Sequence, residues 1–225
     1  MPVVDSTSLR VIWEALLPDH IVIEVGDYST SAQPGGASEQ EAAAAMQDAR
    51  RLEFLSGRFY ARKALLVLGR RPVDIPVAAD RGPVWPDGIV GSITHTLGTT
   101  SGWAAAAVSD VATVRSLGID MESCENLDSR ALEVVLTPTE RAYLTKIPLA
   151  LRSRQAGLIW CAKEAALKAA RGMTEPTEVE IVLSESSQEF RATRRPRLPE
   201  EPGKEWAFEG HALCCDGFAF AAAYR

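Results

Sequence analysis

Apolar positions along the chain recur at helical spacing in three places. The first begins at Ser38, where Glu41 three residues on matches a capping box, each side chain satisfying the other residue's backbone N–H. Phe54, Leu55, Phe59, Leu65 and Leu66 carry the pattern onward, with room for a break, until Gly69 and Pro72 stop it. A short helix opens at Thr137-Pro138-Thr139-Glu140, where Thr caps, Pro takes the first helical position and Glu closes the box. The third, rich in Ala, Leu and Lys, is predicted from about Ser153 to Arg171, ending at Gly172. Strands are predicted at Ile21 to Val25, Ile89 to Ile93, Gly102 to Val108, Ser116 to Asp120, Val179 to Leu183, Glu205 to Glu209 and Gly217 to Ala222. Ser29 to Ala37 and Arg191 to Gly203 read as loops on their Pro, Gly and Ser content. No internal sequence repeat is evident. Helices and strands interleave without regular β-α-β alternation, which predicts an α+β fold.

The 225 residues are 46% hydrophobic and 24% charged, a balance that excludes a wholly disordered, collagen-like or coiled-coil chain. No apolar run reaches the roughly 20 residues needed to span a bilayer. Met1-Pro2-Val3-Val4-Asp5 lacks the basic-then-apolar order of a secretory signal, so a cytoplasmic protein is expected. A net charge of -6 gives no global field to attract nucleic acid or an acidic membrane, and any anionic ligand must be held by a local basic cluster. Cys124, Cys161, Cys214 and Cys215 match neither a disulfide framework nor a zinc-binding pair, and reduced, partly buried thiols are expected.

Four segments could carry chemistry. In Ser116-Leu117-Gly118-Ile119-Asp120-Met121-Glu122, strand alternation puts Asp120 and Glu122 on one face, about 6.5 Å apart, close enough to share a cation. Alone, such a pair also fits a solvated strand end. Trp160, Glu164 and Lys168 share one stripe of the third helix, where Glu164 and Lys168 could equally form an ordinary surface ion pair. Arg81-Gly82-Pro83-Val84-Trp85-Pro86-Asp87-Gly88 leads into Ile89-Val90-Gly91-Ser92-Ile93-Thr94-His95-Thr96. That run offers hydroxyls, an imidazole and backbone N–H groups suited to phosphate oxygens, or else a plain turn and strand. Arg58 and Arg62, four apart beside Phe59, could present two guanidinium groups to one anion or form a solvated helix face. Arg191, Arg194, Arg195 and Arg197 make a denser basic run that reads as an exposed loop.

The order of these segments, RxPxWPxGxxGSxTHT, then GIDxE, then WxxKEAxxK, resembles the 4'-phosphopantetheinyl transferase superfamily, in particular the enterobactin-synthetase component D type. Its motifs cover about residues 54 to 170. The resemblance implies transfer of the phosphopantetheine arm of coenzyme A to a serine of an acyl or peptidyl carrier protein, releasing adenosine 3',5'-bisphosphate. It also implies two similar α+β halves, 1–110 and 111–225, related by a pseudo-twofold axis with the active site in the cleft between them; since the two halves already make one cleft, a monomer is the default expectation. Asp120, Glu122 and Glu164 would hold Mg²⁺, and Glu164 would be the general base for the carrier serine. Lys168 would contact the pyrophosphate, and Lys163, its motif neighbour, would either join the coenzyme A contacts or have a structural role. His95 and Thr94 would contact a coenzyme A phosphate, and Arg58, Arg62 and Arg81 the adenosine-side phosphates. Met121 stands where some relatives have a third polar ligand, so water would complete the coordination. Thr96 stands where close relatives often have Cys. The component D likeness associates the chain with siderophore or other secondary metabolism.

Two other classes use the same residues. A Mg²⁺-dependent phosphohydrolase would direct water at the phosphorus, and a non-catalytic module would bind coenzyme A or a carrier protein without transfer. Leu127, Leu132, Val135 and Leu136, between the acidic strand and the third helix, are the apolar positions at which a partner helix could dock.

Overall fold

The computed structural model describes residues 5–97, 102–125, 127, 129–171, 174–194 and 206–225. The chain is α+β and divides into two compact units, Met1–Leu117 and Gly118–Arg225. The break falls later than the expected 110/111. The segment after Asp110 turns back on the first unit, with Val111 N–H donating to Gly88 O, both Thr113 and Val114 N–H groups to Asp110 O, and the Val114 side chain buried.

The first unit contains α1 (Ser6–Leu16), β1 (Val22–Asp27), α2 (Ala37–Ala44), α3 (Asp48–Val67), β2 (Ile89–Leu97) and β3 (Gly102–Asp110). Its strands form an antiparallel sheet in the order β1-β3-β2. Helix α3 lays Tyr60, Ala61, Ala64 and Leu65 against Ala104, Ala106 and Val108 of the central strand. The small strand side chains let helix and sheet approach closely.

The predicted helix from Ser38 is two helices, broken at 45–47, and its start differs from the expected box. Gly36 is the N-cap, and the first-turn N–H groups of Ser38 and Glu39 are satisfied by Asp74 Oδ2 and Oδ1 at 2.9 and 3.1 Å. A carboxylate 36 residues away in sequence does the work of a local cap, which no short-range pattern announces. Helix α1 follows from a pattern present in the sequence: Asp5 caps Ser8 N–H at 2.8 Å, and Leu9, Trp13 and Leu16 fall on one buried stripe.

The second unit contains β4 (Leu117–Ser123), α4 (Ser129–Val135), α5 (Pro138–Lys146), α6 (Leu149–Ala170), a 3₁₀ turn (Pro176–Glu178), β5 (Val179–Leu183), β6 (Glu189–Arg194), β7 (Trp206–Cys215) and β8 (Phe218–Tyr224). The sheet order is β4-β8-β7-β6-β5, with β5 to β8 antiparallel. The predicted capping box at Thr137 is present. Residues 191–194, expected in a loop, end strand β6, where Arg194 pairs with Glu178 at 2.9 Å. The remainder of that predicted loop, like the predicted stop at Gly172, lies outside the described residues. β8 begins at Phe218 because Asp216 and Gly217 both take positive φ (50° and 80°), the pattern of a two-residue hairpin turn. Ala162, Ala165, Ala166 and Ala169 of α6 pack with Ala219, Ala221 and Ala223 of β8 in the core.

Each unit anchors its long helix in the same way. In the first, the fully buried Glu39 accepts from Gly35 N–H (2.8 Å), Ile75 N–H (2.8 Å) and Arg62 of α3 (2.6 Å). In the second, the buried Glu140 accepts from Thr137 N–H (2.8 Å), Ile181 N–H (2.8 Å) and Lys163 of α6 (2.7 Å). Acid and base lie 23 residues apart in sequence in both cases. A carboxylate that leaves water must recover its lost hydration from charged and amide donors, and both sets supply three.

Candidate functional site

Strand β4 and helix α6 lie in contact because position 118 is glycine. A Cβ there would sit 1.9 Å from Ala165 O and 2.6 Å from Ala169 N. This approach brings Asp120, two residues further on, to Lys168: Nζ donates to Asp120 Oδ1 at 2.7 Å and to Ile119 O at 3.1 Å. Gly118→Ala is expected to force strand and helix apart, costing at least about 1–3 kcal/mol as overpacking and removing activity in the fraction that still folds. Thermal unfolding and an activity assay on the same sample check it, and a variant that unfolds and works like wild type would refute it.

Glu164 and Lys168 sit one turn apart on α6, both half-buried. Burial raises the Glu164 pKa above the ordinary carboxylate value, and the Asp120 charge raises it further, against the opposing pull of Lys168 and Lys163. Burial pulls the Lys168 ammonium down, but Asp120 and Glu164 outweigh it and hold Lys168 above its ordinary value. Two carboxylates and one ammonium therefore share a small, partly dehydrated volume. Glu122, on the same strand face as Asp120, turns one oxygen back onto the N–H of Ser123 at 2.8 Å. Among the described residues no three His, Cys, Asp or Glu side chains converge to hold a metal alone. The expected Asp120, Glu122 and Glu164 set is thus not assembled as a closed cage. Its chemistry still suits Mg²⁺, which takes hard oxygens from one or two carboxylates and fills its octahedron with phosphate and water.

Lys163, expected beside coenzyme A, is turned into the core. Its side chain is fully buried, with Nζ 2.7 Å from Glu140 Oε2 and 3.0 Å from Val135 O. One residue along a helix is a rotation of about 100°, so Lys163 and Glu164 cannot serve the same face. Burial lowers the Lys163 pKa, and Glu140 opposes that shift. Leu132 and Leu136, proposed as docking positions, pack into or against the same core, while Leu127 and Val135 are half-buried.

In the first unit, His95 is on β2 with its Nε2 2.8 Å from Arg50 Nη1 at the start of α3. Arg50 also pairs with Glu53 at 2.9 Å. No short-range pattern singles out Arg50, because its partner is 45 residues away and the i, i+3 acid beside it looks like a surface pair. Thr94 is buried on the opposite face of β2 from His95, as strand alternation requires. Arg81 is exposed in a turn with φ of 69°, unusual for a residue with a Cβ.

Arg58 and Arg62 differ from the expected pair of open guanidinium groups. Arg58 is buried, with its guanidinium 3.6 Å from the Phe54 ring centroid and Nε donating to Ile75 O at 3.0 Å. Burial lowers its pKa to about 10. Arg62 binds Glu39 and donates to Gln33 O at 2.6 Å. Both lie where α3 meets the chain around Ile75, and their donors hold the first unit together.

Two family models match. Residues 38–109 match the 4'-phosphopantetheinyl transferase N-terminal domain, and residues 116–223 match the 4'-phosphopantetheinyl transferase superfamily. The chain belongs to the 4'-phosphopantetheinyl transferase superfamily. It is 32% identical over 180 residues to 4'-phosphopantetheinyl transferase Svp of Streptomyces mobaraensis, covering 76% of this chain and 70% of Svp. With 4'-phosphopantetheinyl transferase Npt of Nocardia iowensis it shares 39% identity over 59% of this chain and 57% of that protein. With enterobactin synthase component D of Escherichia coli it shares 35% identity over 56% and 57%. The chain thus spans little more than half the length of two of these three relatives. No helix among the described residues is long and apolar enough to cross a membrane.

Proposed function

We propose that this protein transfers the 4'-phosphopantetheine arm of coenzyme A to a serine of an acyl or peptidyl carrier protein, releasing adenosine 3',5'-bisphosphate. The observation that carries the proposal is the Asp120, Glu164 and Lys168 cluster, which places proton acceptor and phosphate-binding cation one helical turn apart. Family membership supports the same reading.

A serine hydroxyl is a poor nucleophile at neutral pH, so its proton must be accepted as attack proceeds. Glu164 is suited to that task because its raised pKa brings it nearer the operating pH. The serine oxygen bonds to the β-phosphorus of the pyrophosphate, the bond from that phosphorus to the bridging oxygen breaks, and the nucleotide leaves with the electron pair. Lys168, whose Nζ is held by Asp120 and Ile119 O, would meet the pyrophosphate charge with its ammonium. Mg²⁺ held by Asp120, Glu122 and Glu164 with the pyrophosphate oxygens would neutralise charge on the leaving group. Arg50, with its Nη1 2.8 Å from His95 Nε2, would join His95 as the first unit's contact to a coenzyme A phosphate. Thr94, Arg58 and Arg62 are bound into the fold, and Arg81 stays available.

The test is the intact mass of an apo carrier protein after incubation with this protein, coenzyme A and Mg²⁺, beside a chelated control. Gain of one phosphopantetheine, lost on chelation, supports the transferase. Coenzyme A breakdown without a carrier would support the phosphohydrolase, and coenzyme A binding with no transfer to a panel of carriers the binding module. Arg50→Ala is expected to raise the KM for coenzyme A about 10-fold, the worth of one charge-assisted contact, with kcat within twofold. Unchanged KM in steady-state kinetics would remove Arg50 from the site.

A further inference from the structure

Cys124 follows the last residue of β4, and its N–H donates to Gly217 O at 2.8 Å in the β7–β8 turn. That bond sets the end of β4 beside Cys214 of β7. The two sulfurs are 3.2 Å apart although 90 residues separate them in sequence. A disulfide sulfur–sulfur bond is about 2.05 Å, so a closing movement of little over 1 Å joins them. Cys124 is buried and Cys214 half-buried, which leaves Cys214 as the more accessible of the two.

The other two cysteines are placed differently. Cys161 is fully buried, donates to Ala219 O at 3.4 Å, and is pushed well above the ordinary thiol pKa by burial and the nearby Asp120. Cys215 is the next residue after Cys214, and strand alternation turns its side chain the other way. Its thiol lies 3.5 Å from Asp216 Oδ2. Within the pair, the hydrogen bond from Cys124 and the Arg154 guanidinium both lower the Cys214 pKa. Thiolate character and access therefore coincide on Cys214, the combination that selects a cysteine for oxidation.

We propose that Cys124 and Cys214 are a modification site, a thiol pair that a peroxide converts to an intramolecular disulfide. The Cys214 thiolate attacks one oxygen of hydrogen peroxide and the O–O bond breaks, giving the sulfenic acid and hydroxide, which is protonated to water. Cys124 sulfur then attacks Cys214 sulfur; the S–O bond breaks, and the Cys124 proton leaves with the hydroxyl group as a second water. The two thiols lose two electrons and the peroxide gains them. The product fastens the end of β4, two residues beyond Glu122, covalently to β7, and exchange with a small dithiol restores the thiols.

The experiment treats the whole protein with hydrogen peroxide, blocks remaining thiols with iodoacetamide, and maps peptides by mass. The expected result is loss of about 2 Da, a cross-link joining the peptides of Cys124 and Cys214, reversal by dithiothreitol, and loss of these two thiols at least about 10-fold faster than that of Cys161. Cys215→Ser should behave as wild type. Cys124→Ser should instead accumulate a sulfenic acid at Cys214 that dimedone traps. A cross-link through Cys161 or Cys215, a disulfide between two molecules, or a map in which Cys124 and Cys214 stay alkylatable would overturn the proposal. The wild-type map decides by itself, so a variant that fails to fold leaves the test standing.

Discussion

Glu164→Gln should lower the turnover of the proposed phosphopantetheine transfer by at least about 10²-fold while leaving the melting temperature equal or slightly higher. The two readouts separate because they depend on different properties of the same carboxylate. Gln keeps the size and one hydrogen-bonding oxygen of Glu but cannot accept a proton, so a reaction that hands the serine proton to position 164 loses its acceptor. Stability moves the other way. The folded protein raises the Glu164 pKa through burial and the Asp120 charge, so the ionised form is held at a cost above the unfolded chain's pKa. A neutral amide removes that cost, at the price usually seen when a strained functional group is relaxed. Activity is measured at saturating Mg²⁺, because the same substitution removes a proposed metal ligand, and melting is measured without added divalent cation, so that lost metal binding does not enter the stability comparison. Activity within threefold of wild type would exclude Glu164 as the base. A fall in melting temperature of several degrees would show that the site's charges are net stabilising.

The side chains that cluster in the second unit are legible in the sequence because their geometry is local. Gly118, Asp120 and Glu122 lie on one strand, Trp160, Glu164 and Lys168 on one helix, and alternation or helical period alone decides which of them share a face. What the sequence did not show depends on partners far along the chain. Asp74 caps α2 from outside it, Arg50 meets His95 across the first unit, and Arg58 turns inward because Phe54 and Ile75 enclose it. Charge pattern cannot distinguish an arginine that waits for a ligand from one that holds two segments together, since both look like a basic residue beside an aromatic. The same limit hides the matching anchors of the two units: Arg62 and Lys163 do the same work with different side chains, and the 23-residue spacing from acid to base is what the two have in common. Residues 191–194 differ for another reason: their arginines resemble the basic loop that follows, although their alternation suits strand β6.

Glu140→Ala should be among the most damaging single changes outside the site, costing about 3–5 kcal/mol, and more than Lys163→Met. Glu140 is where α5, α6 and β5 are tied together: its carboxylate accepts from Thr137 and Ile181 N–H and from Lys163, and its own N–H bonds Thr137 Oγ1 at 3.2 Å. Removing it leaves a fully buried ammonium with Val135 O as its acceptor and strips two buried amides of theirs. Removing Lys163 instead leaves a carboxylate that still holds both amides, so part of its lost hydration remains compensated. The order of the two losses therefore tests which residue is the hub, and chemical denaturation followed by circular dichroism measures both. A Glu140→Ala loss below about 1 kcal/mol would mean that water reaches the site and the pair is not the anchor its burial implies. Kinetics on the same variants test the placement of Lys163. With its ammonium buried against Glu140, Lys163→Met should leave the KM for coenzyme A unchanged in the folded fraction, whereas Lys168→Met should raise it, and a shared effect would return Lys163 to the ligand side of α6.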